Sequence, residues 1–191
     1  MRQRTRSLCK SLAALTAVCI ALGFIEAALV VYLREIVLPL RQERWPQARR
    51  EVVPLLNLEQ LKAAGGSFQF LLAVEVLREP MPLILLAACA WILAPRLRSG
   101  LGYFLVGFGV WDIFYYLFLK LLIDWPSSLG TWDVLYLIPT AWVAPVWAPL
   151  AVSATMIAAG LLLIRSQPPA GLRRSLPGIL LAAAGAGLIL I

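Results

Sequence analysis

Histidine is absent from the 191-residue chain. Because histidine is the commonest general base and a principal ligand for zinc, copper and haem iron, its absence excludes Ser-His-Asp triads and any haem or metal site built on imidazole. Cysteine is scarce, and Cys9, Cys19 and Cys89 contain no C-x-x-C spacing. We therefore predict three small packing residues without a disulfide, and chemistry restricted to carboxylate, guanidinium, amine, phenol and thiol groups.

Charge is also scarce, at 14% of residues, whereas hydrophobic residues make up 61% and the mean hydropathy is +0.85. A soluble domain has about 25% charged residues. This composition excludes a disordered or collagen-like chain, and the 17 basic residues lie in several short clusters rather than in one nucleic-acid-binding patch. We predict an all-α integral membrane helix bundle in which residues 1–191 form a single transmembrane domain, with the lipid bilayer as partner and no nucleic acid.

Five apolar runs approach the roughly 20 residues that a helix needs to cross the bilayer core. They are residues 12–33, 68–94, 101–123, 134–164 and 176–191. The fourth run holds no charge, so we predict a helix kinked by prolines with an irregular outer part, N-capped by Asp133. Its prolines are Pro139, Pro145 and Pro149. The last run is marginal for a full crossing, and residues 34–67 form an outer loop with an interfacial helix at 52–64.

Glycines recur in the third predicted span at Gly102, Gly107 and Gly109. A dinucleotide-binding fingerprint requires a strand before such glycines, and no strand pattern precedes these. Small residues on a membrane helix instead allow a neighbouring helix to approach closely. We therefore predict that these glycines serve helix packing.

The distribution of basic residues predicts the orientation. Nine of the 17 basic residues precede the first span or follow the second and fourth: Arg2, Arg4, Arg6, Lys10, Arg96, Arg98, Arg165, Arg173 and Arg174. Residues 124–133 contain none and are bracketed by Trp125 and Trp132, as at an outer aromatic belt. We expect a multi-pass protein of the bacterial cytoplasmic (inner) membrane with a cytoplasmic N-terminus. We expect its first span to be retained as an anchor, because the apolar stretch continues to Leu33 and the segment near Glu26 lacks a clear A-x-A cleavage site.

The charged residues inside the predicted spans fall in the outer half of the bilayer or at its midplane. Glu75 and Glu79 are four residues apart with Arg78 adjacent, and Asp112 begins an i, i+4, i+8 polar stripe. Each charge at a helix centre costs about 2.5–3.5 kcal/mol on insertion scales, so these groups must pair, take up protons, bind an ion or line water. We predict one ligand-binding or ion-binding site formed by Glu26, Glu75, Arg78, Glu79, Asp112, Tyr115, Tyr116 and Lys120.

Four of these residues are carboxylates and two are cations, which leaves an excess of two negative charges if all ionise. A cation or two protons would balance that excess. Oxygen ligands suit a divalent cation, for which the candidate ligands are Glu26, Glu75, Glu79 and Asp112. The competing interpretation is structural, with Arg78 bridging the glutamates and Lys120 reaching the outer interface.

Several sequence strings occur together over most of residues 20–155. They are VVYLR at 30–34, EVLRE at 75–79, FGVWDIFYY at 108–116, Trp125-Pro126, and WDVLYLIP at 132–139 with Trp142 and Pro145-Val146 after it. This combination resembles an uncharacterised family of small bacterial multi-span membrane proteins. The resemblance implies the membrane architecture and brings no assigned activity. Pro80-Met81-Pro82 departs from the pattern, and a helix break there would re-aim Glu79.

Three functions fit this pattern, and the sequence leaves open whether the protein is an enzyme. The first is binding of a cation, proton or small polar ligand in a pocket open to the outer face. In one version of this hypothesis the protein also transports the bound ligand. The second is a membrane-embedded enzyme acting on a lipid or lipid-linked substrate at the outer leaflet, with Glu79 or Asp112 as acid/base and Arg78 or Lys120 holding an anionic headgroup. The third is a noncatalytic subunit or assembly factor of a larger membrane complex, and a homo-oligomer is a further expectation.

Overall fold

Long apolar stretches separated by short polar connections form the helices of this protein. The computed structural model describes residues 2–44, 66–94, 96–136 and 142–165. Within them the chain forms helices α1 (Arg2–Arg44), α2 (Gly66–Arg78), α3 (Pro80–Leu93), α4 (Leu97–Ile123) and α5 (Trp147–Arg165). Strands β1 (Trp132–Tyr136) and β2 (Trp142–Pro145) lie between α4 and α5.

Four helical segments of the described chain are long and apolar enough to cross a membrane: Leu8–Glu35, Ala73–Leu93, Leu97–Ile123 and Trp147–Arg165. Their outward-facing side chains are apolar, and Trp91 and Ile92 are 80% and 81% exposed. Such exposure is unfavourable in water and favourable in lipid. The prediction of a helical membrane protein is confirmed at this level, whereas the predicted fifth span at 176–191 and the interfacial helix at 52–64 lie outside the described residues.

Helix α4 is central, because α1, α3 and α5 all pack against it. A Cβ atom added at Gly102 would lie 2.9 Å from the backbone oxygen of Gly160, and one added at Gly109 would lie 2.5 Å from that of Ser153. A Cβ atom at Gly107 would lie 3.3 Å from the sulfur of Cys19 on α1. The prediction that the α4 glycines serve close helix packing is confirmed.

The predicted kinked helix over residues 134–164 is wrong in its outer part. There β1 pairs antiparallel with β2, with Trp132 opposite Pro145 and Val134 opposite Val143, and α5 begins only at Trp147. Aromatic and β-branched residues favour strands, and a proline at Pro145 cannot continue a helix. Pro149 lies in the first turn of α5, where its missing N–H removes no helical hydrogen bond. The predicted kink at Pro139 lies outside the described residues.

The junction between α2 and α3 lies at Glu79, directly before Pro80-Met81-Pro82. Glu79 keeps right-handed helical angles (φ −49°, ψ −43°), and its N–H donates to the Glu75 carbonyl at 3.0 Å. Pro80 then opens α3, where the missing N–H is tolerated. The prolines therefore divide the span into two helices while Glu79 itself remains helical.

The bundle has two chemically different ends. Leu8, Leu93 and Ile164 pack around one apolar cluster, so the start of α1, the end of α3 and the end of α5 lie together. We call this the basic end, because Arg6, Lys10, Arg96, Arg98 and Arg165 flank these termini. At the opposite, hairpin end, a second apolar cluster joins the helices to the loop and hairpin: Ala27, Tyr116, Leu119, Trp125 and Val146.

Candidate functional site

A cavity of about 220 Å³ lies between the helices and the β1–β2 hairpin. Its polar lining comes from α1, the α2–α3 junction, α4, β1 and α5. The ionisable and hydroxyl side chains of the lining are Glu26, Glu75, Arg78, Glu79, Asp112, Tyr115, Tyr116, Asp133, Tyr136 and Ser153. The structure thus brings together all of the residues predicted from sequence except Lys120.

Close backbone packing sets the position of Glu26 relative to α4. A Cβ atom at Gly23, one turn before Glu26, would lie 3.0 Å from the Trp111 carbonyl oxygen and 3.0 Å from the Tyr115 nitrogen. A side chain at this position would require α1 and α4 to move apart by a few tenths of an ångström. Glu26 and Asp112 therefore line one cavity from neighbouring helices.

Arg78 is held by two glutamates. Its Nη2 contacts Glu75 Oε1 at 2.5 Å and its Nε donates to Glu75 Oε2 at 2.9 Å, a two-point pairing. Its Nη1 forms an ion pair with Glu26 Oε2. A guanidinium shared in this way has little capacity left for an anionic ligand. This part of the cluster has the arrangement that the structural interpretation predicts.

Two aspartates of the cavity have no basic partner among the described residues. Asp112 accepts a hydrogen bond of 2.7 Å from the Ser153 hydroxyl. Asp133 accepts one of 2.7 Å from the Tyr116 hydroxyl and one of 2.8 Å from the backbone N–H of Val134. These neutral donors orient the carboxylates without neutralising their charge.

The predicted role of Asp133 as a helix N-cap is wrong, because it lies in β1 and its side chain is 2% exposed. Burial raises the pKa of Asp133 from its ordinary value of 3.8 to about 6, and the hydrogen bonds from Tyr116 and Val134 oppose this shift. Burial also raises the pKa of Tyr136 in the same strand, with smaller contributions from nearby carboxylates such as Asp112. The hairpin therefore contributes a buried acid with a perturbed pKa and a phenol that stays protonated at neutral pH.

Lys120 does not join the cavity, contrary to the prediction. Its Nζ pairs with Asp124 Oδ1 at 2.6 Å and donates to the Pro126 carbonyl at 3.1 Å. The chain leaves α4 through Asp124, whose φ of 53° is left-handed, and this turn places the acid beside the lysine. The hydrogen bond from Lys120 lowers the pKa of the exposed Asp124. The helical spacing predicted that Lys120 lies on the same face of the helix as Asp112. It could not show that Lys120 pairs with Asp124 outside the cavity.

Aromatic rings form much of the cavity wall: Phe108, Trp111, Tyr115, Tyr116, Tyr136 and Trp142. Trp111 is 8% exposed and packs edge-to-face on Phe108 at a centroid distance of 5.4 Å. Its indole Nε1 is buried and has no hydrogen-bond partner within the described part of the chain. A buried donor without a partner is uncommon in folded proteins.

The carboxylates do not converge on one point. Among the residues that the structure describes, no group of three or more Asp, Glu, Cys or His side chains is placed to hold a metal ion. Calcium takes six to eight oxygen ligands. The proposed metal ligands Glu26, Glu75, Glu79 and Asp112 line the cavity as separate groups rather than as a coordination shell.

Sequence reasoning missed Asp133, Ser153 and Trp111 as parts of this site. Asp133 precedes a 31-residue uncharged run, and that run was interpreted as a helix. Ser153 lies within the same run, where a single serine carries no signal. The sequence feature that indicates this part of the site is the repeated Trp-Asp dipeptide, at Trp111 and Trp132, because the aspartates of both copies line the cavity.

Comparison of the chain with protein-family models, with curated proteins and with solved structures finds no match. The resemblance to small bacterial multi-span membrane proteins therefore stays a prediction. The functional conclusion depends on the geometry of the cavity alone.

Proposed function

We propose that this chain is an integral membrane protein that binds a small cation in the cavity at its hairpin end. The observation that carries the proposal is the pair Asp112 and Asp133. Both acids line the cavity, and neither has a basic partner among the described residues. The ligand would supply the missing positive charge.

The charge balance of the cavity favours a cation over an anion. Among the described lining residues there are five carboxylates (Glu26, Glu75, Glu79, Asp112 and Asp133) and one basic side chain, Arg78. Arg78 already pairs with Glu26 and Glu75. An anion entering this cavity would meet uncompensated negative charge, which costs several kcal/mol in a site of low polarity.

The same geometry weakens the case for an enzyme acting on an anionic lipid. In that hypothesis, Arg78 or Lys120 binds the anionic headgroup of the lipid. Arg78 is shared by two glutamates, and Lys120 pairs with Asp124 outside the cavity. Neither cation is available for a phosphate within the cavity.

Binding is better supported than transport through one molecule. Between the cavity and the basic end, the described helices meet in an apolar cluster that includes Leu15, Cys19, Leu22, Leu86 and Val106. Ion pathways are lined by polar groups or water. Transport, a homo-oligomer and membership of a larger membrane complex remain predictions.

The experiment measures whether cations stabilise the purified chain in detergent. A ligand that binds the folded state raises its stability by mass action. Thermal unfolding is followed at constant ionic strength with chloride salts of sodium, potassium, calcium and small organic ammonium ions. We expect at least one cation to raise the unfolding temperature of the wild type and to have no effect on the Asp112→Asn/Asp133→Asn double variant.

Glu35→Gln is the matched control, because Glu35 is an exposed acid of α1 away from the cavity. A cation should raise the unfolding temperature of this variant by the same amount as that of the wild type. The proposal is refuted if no cation stabilises the wild type, or if the double variant responds as strongly as the control does.

We also propose that the hairpin end faces the periplasm of a bacterial cytoplasmic membrane. The described basic residues at the opposite end support this orientation. Cys9 is exposed near the start of α1, and Ser128 is exposed in the loop before β1. A membrane-impermeant maleimide should label Ser128→Cys in intact cells and Cys9 only after permeabilisation, and the reverse pattern would overturn the orientation.

A further inference from the structure

We infer that the outer face of the β1–β2 hairpin binds the membrane surface, at the level of the lipid headgroups. This face lies outside the cavity and is independent of the proposed cation site. Two features distinguish it: the polarity of the residues that alternate between the two faces of the hairpin, and the length of the helix that begins directly after β2.

The two faces of the hairpin differ in polarity. Asp133 and Ala144 lie opposite each other in the ladder and both line the cavity, so they belong to the inner face. Successive residues of a strand point to opposite faces. The preceding neighbours, Trp132 and Val143, therefore lie on the outer face, where they are 55% and 43% exposed and are not part of the cavity lining. The hairpin thus carries an acid on its inner face and apolar side chains on its outer face.

This alternation is the reverse of the one that water selects. An antiparallel strand with one face in water places hydrophobic residues inward and polar residues outward. Strands that contact lipid instead alternate with polar residues inward and apolar residues outward. The outer face of the hairpin therefore matches lipid rather than water.

The length of α5 gives the depth of the hairpin in the membrane. The helix has 19 residues, Trp147–Arg165, and therefore rises about 28 Å, close to the roughly 30 Å of the hydrocarbon core. When Arg165 lies at the boundary on the basic end, Trp147 reaches the opposite boundary, and it is exposed there as interfacial tryptophans are. β2 ends at Pro145, two residues before α5 begins, so the hairpin lies at the same boundary.

The backbone connects the outer face of the hairpin to the start of α5. The N–H of Val146 donates to the Thr131 carbonyl at 3.0 Å, and the N–H of Trp147 donates to the Leu129 carbonyl at 2.9 Å. The segment just before β1 is therefore held against the first turn of α5. Leu129 and Trp132 are both exposed, and they extend the apolar surface of this membrane-spanning helix toward the hairpin.

The edges of the hairpin exclude a deeper position, within the hydrocarbon core. Backbone N–H and C=O groups must be paired there, so lipid-exposed sheet edges do not occur at that depth. Among the described residues the sheet has two strands, and each strand has one edge outside the ladder. The headgroup region supplies water for these edges and also accommodates tryptophan side chains.

The test measures the environment of spin labels on the full chain in phosphatidylcholine nanodiscs. In the parent chain, alanine replaces the three native cysteines, Cys9, Cys19 and Cys89. Labels at Trp132→Cys and Val143→Cys report on the outer face, and a label at Ala144→Cys reports on the inner face of the same strand. Each label is tested for relaxation by oxygen, which concentrates in lipid, and by a nickel chelate, which stays in water.

Two further positions calibrate these measurements. Ile84 is exposed near the middle of the candidate span Ala73–Leu93, so Ile84→Cys serves as the reference for lipid. Ser128 is exposed in the loop before β1, so Ser128→Cys serves as the reference for water.

We expect the labels at Trp132→Cys and Val143→Cys to lie between the headgroups and about 10 Å below them. Their oxygen access should exceed that at Ser128→Cys, and their access to the nickel chelate should be lower. Oxygen access at Ala144→Cys should be lower than at Val143→Cys, because residue 144 faces the cavity. Equal oxygen access at these two neighbours would contradict the assignment of the faces, and it is also the result that a disrupted hairpin would give.

Three other results would overturn the proposal. Access to the nickel chelate as high at Trp132→Cys and Val143→Cys as at Ser128→Cys would place the outer face in water. Low access to both reagents at these positions would show that another part of the chain covers this face. A loss of oxygen access in nanodiscs that hold two molecules, but not in those that hold one, would identify a second copy as the partner.

Discussion

Replacement of Asp133 by asparagine should make the stability of the protein less dependent on pH. The carboxyl is buried, and its pKa is raised from 3.8 to about 6. The folded state therefore holds the proton more tightly than the unfolded chain does. By linkage, the free energy of unfolding falls as the pH rises from about 4 to about 6 and then stays at the lower level.

The magnitude follows from the two pKa values. A difference from 3.8 to about 6 corresponds to about 3 kcal/mol, at about 1.36 kcal/mol per pH unit. About half of this, roughly 1.5 kcal/mol, falls between pH 5 and pH 7.5. Asparagine keeps a side-chain oxygen that can accept from Tyr116, and it does not titrate. As the pH rises from 5 to 7.5, the free energy of unfolding of the variant should therefore increase by roughly 1.5 kcal/mol relative to that of the wild type.

The assay is reversible unfolding in mixed micelles by titration with sodium dodecyl sulfate at pH 5 and pH 7.5, without added organic cation. Asp124→Asn is the control, because that exposed acid has a pKa lowered by Lys120 and is ionised throughout this range. It should leave the pH dependence as in the wild type. If wild type and Asp133→Asn lose the same free energy between pH 5 and pH 7.5, the burial argument for Asp133 is refuted.

Three further predictions test other parts of the structure. Arg78→Met should lower the free energy of unfolding by about 3 kcal/mol, because it leaves the buried Glu26 and the half-buried Glu75 without the guanidinium that they share, and adding Glu26→Gln should recover part of the loss in a denaturation curve. Gly102→Ala should destabilise by about 1–3 kcal/mol, since its Cβ would lie 2.9 Å from a backbone oxygen of α5, whereas Gly100→Ala, with 3.8 Å of clearance, should be neutral or stabilising. Lys120→Met should leave cation affinity in calorimetry unchanged, because its ammonium lies outside the cavity lining, and a large loss would place it in the site after all.

The helices and most of the site could be predicted from the sequence because the bilayer restricts the alternatives. An apolar run that crosses a membrane must pair its backbone groups internally, and a helix does so within one segment. Charged side chains inside such runs are rare, because their insertion into the bilayer costs free energy. The sequence alone therefore identified four candidate site residues: Glu26, Glu75, Arg78 and Asp112. The sequence also predicted that these residues lie close together. The approximate helical rise per residue gives the depth of each residue in the membrane, and the depths agree when successive helices cross in opposite directions.

The hairpin could not be predicted in the same way. Uncharged apolar residues before Trp147 satisfy the composition of a membrane helix and of a buried strand equally well. Among the described residues, β1 and β2 pair with each other at the end of the bundle, so their inward-facing backbone groups are satisfied within the hairpin. Asp133 was misassigned for the same reason: an acid before an apolar run is typical of a helix N-cap, and only the strand turns it toward Tyr116.

The neighbours of each carboxylate separate the structural acids from those available to a ligand. Glu26 and Glu75 share a guanidinium, so their charges are already paired within the fold. Within the described part of the chain, Asp112 and Asp133 receive hydrogen bonds from neutral donors, which orient the carboxylates and leave their charge uncompensated. Structural pairing alone would be served as well by asparagine at both positions, which keeps an acceptor without the cost of burying a charge. Two cavity acids that lack a basic partner among the described residues are the pattern expected when positive charge comes from a bound cation.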